Sequence, residues 1–334
     1  MWLSVHVGHG KTGSSFLQAW LACNAEVLQR EHGILYPLQA PCSGQCDQEA
    51  AQGRFSMGNG FVLEEILAAP QPQLLLRQLA AGLPADGQLL FSCERFIRSL
   101  TPQLEWLQTL ALAAGLEGVR LLLFVRDPLE HAHSLYAEMV KAHGFTGSVE
   151  AWLELYNLHQ AVATFLSTVQ GLGATQLTVF NYSLAPGALR QQLAAWLGLP
   201  LHADQPGGAL QEPPVAQVNR SLDAAELEAL LVLNRLLGAA AQPLGRGLVN
   251  GLPQWPVRRV LAGPEAQQAF LERLAPPVAA INALLPPDQA LRLRLEPPAA
   301  AAAAAPTGIC LAPQQLELLA RGLLELGRQG QPAS

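Results

Sequence analysis

The sequence predicts an α/β fold in three layers, with helices on both faces of a central parallel β-sheet and a helical region towards the C-terminus. Along the first part of the chain, short apolar segments alternate with segments of helical periodicity. The apolar segments are hydrophobic at nearly every position, which is typical of strands buried on both faces of a parallel sheet. The chain has 334 residues, of which 50% are hydrophobic and 14% charged, so it can bury a large core.

Four strands follow from the apolar segments, and each leads into a predicted helix. The strands are Trp2 to Val7, Gln88 to Ser92, Val119 to Val125 and Gln176 to Asn181. The helices begin near Gly13, Thr101, Asp127 and Pro186, and a further helix, with Ser221 as its N-cap, opens an all-helical C-terminal third. Ligands of parallel sheets bind beyond the carboxyl ends of the strands, so the loops after Val7, Phe91 and Val125 are where we expect a site.

One large domain is predicted over residues 1–290, with its sheet in about 1–200 and its helical part in about 215–290. The low-complexity segment PPAAAAAAAP predicts a linker over 291–311, and residues 312–334 are expected to form a helix or tail. The polar segment from Gln39 to Gly60 is long enough to be a functional loop, and we expect it to shape part of a binding site.

Charge and cysteine content narrow the classes of partner and compartment. A net charge of −6 and a pI of about 5.8 argue against a nucleic-acid partner held by general electrostatics. Five cysteines in a chain of this size, without a signal peptide or a long apolar span, predict a cytoplasmic protein with no membrane span. Cys42 and Cys46 are free thiols, a redox pair or half of a metal site, but no second Cys/His pair accompanies them, so no metal is expected.

A glycine-rich loop, GHGKTGSS, joins the first strand to the first helix. Its glycines let a phosphate approach the backbone, and the helix N-terminus supplies amide donors and favourable potential. The candidate ligand contacts are Gly10, Lys11, Thr12, Gly13, Ser14 and Ser15. The loop is not a Walker A motif, because it lacks four residues between a glycine and a Gly-Lys-Ser/Thr triplet. The alternative is a glycine-rich turn with an exposed lysine.

A second motif follows the strand Val119 to Val125. Arg126 stands at the strand exit, Asp127-Pro128 starts the next helix, and Ser134 lies about two turns into it. An arginine at a strand end can donate twice to a phosphate and keeps its charge at any physiological pH. The alternative is a purely structural Arg-Asp-Pro strand exit.

Taken together, the two motifs resemble the family of sulfotransferases that depend on 3′-phosphoadenosine-5′-phosphosulfate (PAPS), including bacterial members. Lys-Thr-Gly-Ser-Ser followed by Phe-Leu-Gln resembles the family's 5′-phosphosulfate loop, and Arg126 and Ser134, separated by seven residues, resemble its 3′-phosphate motif. The resemblance covers about residues 1–290 and implies a P-loop-like fold, PAPS as co-substrate without a metal, and transfer of a sulfuryl group. It suggests a small-molecule or glycan acceptor, such as a carbohydrate, another metabolite or a lipid.

Two further segments resemble the family less specifically. Bacterial members carry a segment like Asn219-Arg220-Ser221-Leu222, which makes Arg220 a candidate contact for the 3′-phosphate or the acceptor. Asn181-Tyr182 stands where the family often has a tyrosine and an acidic residue, and the asparagine departs from that pattern.

Sulfuryl transfer requires a positive charge at the leaving phosphate and a base for the acceptor proton. Lys11 is the candidate for the first role, and Glu94, directly after the strand Gln88 to Ser92, is the first candidate for the second. The alternative for Glu94 is an ion pair with Arg95 or Arg98. His9 is the second candidate base, whereas His131 and His133 are expected to be surface or packing residues.

Two rival functions stay open at this stage. One is a P-loop-like kinase that uses ATP and magnesium, and the other is a non-catalytic nucleotide-binding protein that keeps the fold without turnover. Both would retain an anion-binding loop, so binding of adenosine 3′,5′-bisphosphate and transfer of labelled sulfate are the observations that separate them.

Overall fold

A computed structural model describes residues 1–46, 58–200, 210–213, 220–297 and 309–329 of the chain. Within these residues the strands form one parallel sheet in the order β2-β3-β1-β4-β5. The strands are β1 (Trp2–Val7), β2 (Ile34–Leu35), β3 (Gln88–Cys93), β4 (Val119–Val125) and β5 (Thr175–Asn181). The predicted parallel α/β fold is confirmed.

The four predicted strands are confirmed to within one residue at each end. The central strands β1, β3 and β4 are buried along almost their whole length, which explains their continuous apolar sequence. Strand β2, only two residues long, escaped prediction because it is too short to show a periodicity.

Helices occupy most of the remaining described chain. They are α1 (Ser14–Cys23), α2 (Ala25–His32), α3 (Gly60–Ala68), α4 (Pro72–Ala80), α5 (Phe96–Ser99), α6 (Leu104–Ala113), α7 (Pro128–His143), α8 (Val149–Leu155), α9 (Leu158–Gln170), α10 (Leu189–Leu197), α11 (Ala224–Leu237), α12 (Gln242–Gly251), α13 (Pro264–Asn282) and α14 (Pro313–Gln329). The helices expected near Thr101 and Pro186 each open with a short 3₁₀ turn before α6 and α10.

The predicted N-cap of α11 is wrong. Asp223, not Ser221, caps the helix: its carboxylate accepts from the amide of Ala225, and Glu226 accepts from the amide of Asp223 in a capping box. The aspartate prevails because Glu226 stands three residues after it, whereas Ser221 has no acidic partner at that spacing.

The chain divides into two compact units. The first comprises the described parts of Met1–Asp127, Asn157–Val218 and Pro276–Arg292 and contains the whole sheet. The second comprises the described parts of Pro128–Tyr156, Asn219–Ala275 and Leu293–Ser334 and contains helices. The domain boundaries expected from the sequence, consecutive along the chain, stay a prediction.

The second unit has a polar centre. Arg220 and Glu226 form a bidentate ion pair at 2.8 Å, with both side chains fully buried. Gln315 of α14 donates to the same Glu226 carboxylate at 3.0 Å. The C-terminal helix is therefore bonded to the interior of this unit.

Several predicted segments fall partly outside the described residues. These are 47–57 of the expected loop, 298–308 of the expected linker, 214–219 before α11, and 330–334 of the expected tail. Among the described helices, no stretch has both the length and the apolar character that a membrane crossing requires.

Candidate functional site

The sheet order brings the three predicted strand exits together. Strand β1 lies between β3 and β4, so the loop after Val7 is flanked by the ends of both neighbours. The amide of Gly8 donates to the carbonyl of Cys93 at 2.9 Å, and a methyl group added to Gly8 would overlap the backbone of Glu94. The loop thus begins against the segment that carries the candidate base.

The backbone of the loop is left-handed at three of four successive positions. Gly10, Lys11 and Gly13 have φ values of 45°, 51° and 81°. Such turns can direct consecutive amides towards one concave point, which favours an anion. Lys11 is the one described non-glycine residue with positive φ, and this strained conformation is of the kind found at ligand sites.

Two hydroxyls in the loop are buried beneath its surface. Thr12 Oγ1 and Ser14 Oγ have no hydrogen-bond partner among the residues that the structure describes. Buried hydroxyls are normally bonded, because leaving one unpaired costs about 1–3 kcal/mol. Phosphate or sulfate oxygens would satisfy both groups, so the donor set fits an oxyanion.

Arg126 lies against the loop. Its Nη1 donates to the carbonyl oxygen of Lys11 at 2.7 Å, and its guanidinium stands over the Tyr182 ring, 5.1 Å from the ring centroid. A methyl group added to Gly13 would lie 3.7 Å from Tyr182 Cε2, so the ring reaches the same turn. The two motifs, 115 residues apart in sequence, therefore meet in one place.

Glu94 faces the loop from β3. A methyl group added to Gly10 would lie 3.9 Å from Glu94 Oε2, which places the carboxylate beside the loop. The two arginines considered as alternative partners of this glutamate both have partners elsewhere. Arg95 pairs with Glu64 at 3.3 Å, and Arg98 donates to Asn157 at 2.8 Å.

A buried polar network supports the strand end that carries Glu94. The Ser92 hydroxyl accepts from Gln18 Nε2 at 3.2 Å and is hydrogen-bonded to His6 Nδ1 at 2.8 Å. Asn59 accepts from the Ser92 amide at 2.8 Å and donates to the carbonyl of Leu90 at 3.0 Å. Complete burial lowers the pKa of His6 to about 4, so its ring is neutral at pH 7.

His9 and His159 meet behind the loop. Both are fully buried, and their rings are in edge-to-face contact with centroids 5.0 Å apart. His159 Nε2 lies 2.9 Å from the carbonyl oxygen of Arg126. Burial lowers the pKa of His159 to about 4, partly offset by this hydrogen bond.

The other predicted site residues lie in the second unit. Ser134 is half-buried on α7, and its pairing with Arg126 stays a prediction. Arg220 donates to both oxygens of Glu226 and to the carbonyls of Leu248, Leu252 and Ser221. These bonds use all five N–H donors of a guanidinium. The predicted ligand contact of Arg220 stays a prediction.

His131 and His133 are packing residues of the second unit, in agreement with expectation. His131 Nδ1 lies 2.7 Å from the hydroxyl of Tyr156. His133 Nε2 accepts from the amide of Ala262 at 3.2 Å, so its Nδ1 carries the proton and donates to Glu296 at 3.0 Å.

Lysine is rare in this chain, which favours a specific role for Lys11 in the loop. Only Lys11 and Lys141 are lysines, and the other 18 of the 20 basic residues are arginines. Lys141 is buried and pairs with Glu138 at 2.8 Å. A chain that uses arginine almost everywhere else therefore has a flexible, compact ammonium group in the anion loop.

No protein-family model matches the chain, and no curated protein sequence matches it. A solved structure, the crystal structure of a sulfotransferase from Alicyclobacillus acidocaldarius, is similar over 85% of this chain and 95% of that chain. The two are 13% identical, with a TM-score of 0.39. A similarity this distant says nothing of the reaction.

Sequence reasoning missed His159 and gave Tyr182 no definite role. His159 is the second residue of α9, outside every motif, and only tertiary contact brings it to Arg126. Tyr182 was visible as the residue after a predicted strand, at the edge where ligands of parallel sheets bind. Among the described residues, no group of three or more His, Cys, Asp or Glu side chains is arranged to hold a metal ion.

Proposed function

We propose that the chain is a sulfotransferase that moves a sulfuryl group from PAPS to a hydroxyl or amine acceptor. The proposal rests on the contact between the two motifs. Arg126 donates to the backbone of the anion loop, and the buried hydroxyls of Thr12 and Ser14 in that loop have no hydrogen-bond acceptor among the described residues. The site fits an anionic ligand with more than one charged group, since Lys11 and Arg126 approach it from neighbouring strands.

In the proposed reaction, the acceptor oxygen or nitrogen attacks sulfur, and the bond between sulfur and the bridging phosphate oxygen breaks. The acceptor proton passes to a base, and adenosine 3′,5′-bisphosphate leaves. Lys11 and the loop amides would stabilise the charge that develops on the leaving phosphate. Glu94 is the proposed base because its carboxylate lies beside Gly10. His9 is the second candidate, within the loop itself.

The acceptor is proposed to be a small molecule or glycan, such as a carbohydrate, another metabolite or a lipid. The proposal draws on resemblance to bacterial sulfotransferases. The described part of the expected acceptor loop supports it in one respect: Asn59 and Gly60 pack against β3 next to Glu94, so this loop ends beside the proposed base.

Calorimetry with adenosine 3′,5′-bisphosphate tests the nucleotide assignment. Lys11→Ala and Arg126→Ala should each weaken binding by roughly tenfold or more, because each removes a charge-assisted contact to phosphate. Arg30→Ala is the matched control, since Arg30 is exposed and pairs with Glu31 at the amino-end side of the sheet. Unchanged affinity in both site variants would refute the assignment, and magnesium-dependent binding of ATP instead would favour a kinase.

Chemical modification gives a second test that needs no substitution. A reagent selective for primary amines should acetylate Lys11 in preference to Lys141, which is buried and paired. Saturating adenosine 3′,5′-bisphosphate should protect Lys11, as read by mass spectrometry of the peptide that contains it. Equal modification with and without the nucleotide would contradict a ligand contact at Lys11.

Transfer of sulfur-35 from labelled PAPS to a panel of hydroxyl and amine acceptors tests catalysis. Glu94→Gln should keep bisphosphate affinity and lose most turnover, roughly 10²-fold or more, because the amide cannot take up the acceptor proton. Glu64→Gln is the control, since Glu64 pairs with Arg95 nearby. Binding without transfer to any acceptor would indicate the non-catalytic alternative, and full activity of Glu94→Gln would move the base role to His9 or elsewhere.

A further inference from the structure

His159 contacts both segments of the candidate site from behind. Its ring meets the ring of His9, which lies between Gly8 and Gly10 in the loop. Its Nε2 bonds to the backbone of Arg126 at the end of β4. It is thus one fully buried side chain that contacts both the loop and the segment carrying the arginine.

The hydrogen bond defines the state of the ring. The Arg126 carbonyl can only accept, so Nε2 carries the proton and donates at 2.9 Å. Nδ1 of a neutral ring then has no proton. Because burial keeps the ring neutral near pH 7, this polarity is fixed under ordinary conditions.

The hydrogen bond from His159 also helps to hold Arg126 in place. Its guanidinium is tied to the Lys11 carbonyl, and the following amide, that of Asp127, donates to the Ser183 hydroxyl at 2.9 Å. The Asp127 carboxylate accepts from Asn181 at 3.1 Å. The carbonyl oxygen of Arg126 itself accepts the hydrogen bond from His159. Loss of that bond would therefore release the arginine on the side that faces α9.

We propose that His159 is a positioning residue of the nucleotide site, which holds the Arg126 backbone and the His9 segment together so that the guanidinium and the loop act on one ligand. The inference rests on the proposed function. Loss of His159 should therefore weaken the contribution of Arg126 to nucleotide affinity. A residue that only packs in the core would not affect that contribution selectively.

The test compares two nucleotides that differ in one phosphate. Dissociation constants are measured by calorimetry for adenosine 3′,5′-bisphosphate and for adenosine 5′-monophosphate, and their ratio reports what the 3′-phosphate contributes. Arg126→Ala sets the reference loss of this ratio. His159→Leu keeps a similar volume without a donor and should lower the ratio by roughly tenfold, whereas His159→Gln keeps an amide donor and should restore it to within about threefold of wild type.

His159→Asn covers the case in which the leucine variant fails to fold, since its shorter amide places the donor out of reach of the carbonyl. The proposal is supported if the affinity ratio falls in the asparagine or leucine variant and is restored in the glutamine variant. It is also supported if the double variant Arg126→Ala/His159→Leu has the same ratio as Arg126→Ala. Folded leucine or asparagine variants that keep the wild-type ratio while Arg126→Ala loses it overturn the positioning role alone. An unchanged ratio in Arg126→Ala overturns the nucleotide assignment as well.

Discussion

At the scale of single residues, the hydroxyls of Thr12 and Ser14 lie at 0% and 1% exposure with no hydrogen-bond partner in the described part of the chain. Their positions in the loop were predictable, because glycine, lysine and hydroxyl residues between a strand and a helix indicate an anion site. Their burial was not, since Tyr182, just after β5, and Leu189 of α10 pack on the same turn from distant parts of the sequence. Sequence reasoning failed in the same way for His159, whose role depends on a contact 33 residues away from it in sequence.

Thr12→Val should separate stability from binding. The substitution keeps the shape of the side chain and removes a buried hydroxyl that lacks a partner, so the free energy of unfolding should rise by about 1 kcal/mol without ligand. The affinity for adenosine 3′,5′-bisphosphate should fall, because one donor to the anion is gone. Urea unfolding and calorimetry measure the two effects.

Thr175→Val is the matched control for this experiment. Thr175 Oγ1 donates to Gln108 Oε1 at 2.9 Å, so its removal should lower stability and leave nucleotide affinity unchanged. If Thr12→Val destabilised the protein as Thr175→Val does, its hydroxyl would have an unrecognised partner in the fold. Unchanged affinity would remove Thr12 from the ligand contacts.

At the scale of elements, the buried strands were predictable to within a residue, because burial on both faces leaves a continuous apolar sequence. Helix α12 was only part of an expected helical region, and its sequence QPLGRGLVNG contains three glycines that argue against a helix. The segment is helical nevertheless, because packing within the second unit outweighs the low helix propensity of glycine. Gly245 lies so close to Lys141 that an added methyl group would come within 2.9 Å of Lys141 Cγ and 3.1 Å of its carbonyl oxygen.

Two glycines of α12 should therefore respond oppositely to the same substitution. Gly247→Ala should raise the free energy of unfolding by roughly 0.5–1 kcal/mol, because nothing lies within 4 Å of the added methyl group and alanine favours the helix. Gly245→Ala should lower it by roughly 1 kcal/mol or more, through crowding against Lys141. Equal effects in denaturant unfolding would mean that the helix does not pack at Gly245 as described.

At the scale of the whole molecule, the order of the sheet is what turns separate motifs into a site. Placing β1 between β3 and β4 sets the loop, Glu94 and Arg126 at neighbouring strand ends. The sequence indicated where each strand ends and at which edge of the sheet ligands bind. The strand order was not predictable, because an apolar strand sequence does not show which strands it pairs with. The same burial that builds this sheet encloses two neutral histidines, His6 and His159. That enclosure has a measurable consequence for the entire fold.

The free energy of unfolding should fall as the pH decreases from about 6.5 towards 5. Burial lowers the pKa of His6 and of His159 to about 4, whereas an unfolded histidine has a pKa of about 6.5. Above pH 6.5 both states are neutral and the stabilisation is complete. Below it the unfolded chain takes up protons that the folded chain does not, so stability is lost by up to about 1.4 kcal/mol per pH unit for each histidine.

Urea titrations between pH 7.5 and 5 measure this slope above the range in which most carboxylates take up protons. His159→Gln should reduce the slope by about one proton, because the glutamine cannot titrate. A wild-type free energy of unfolding that is equal at pH 7 and pH 5 would contradict the burial of neutral imidazoles. A slope unaltered in His159→Gln would place the titrating group elsewhere.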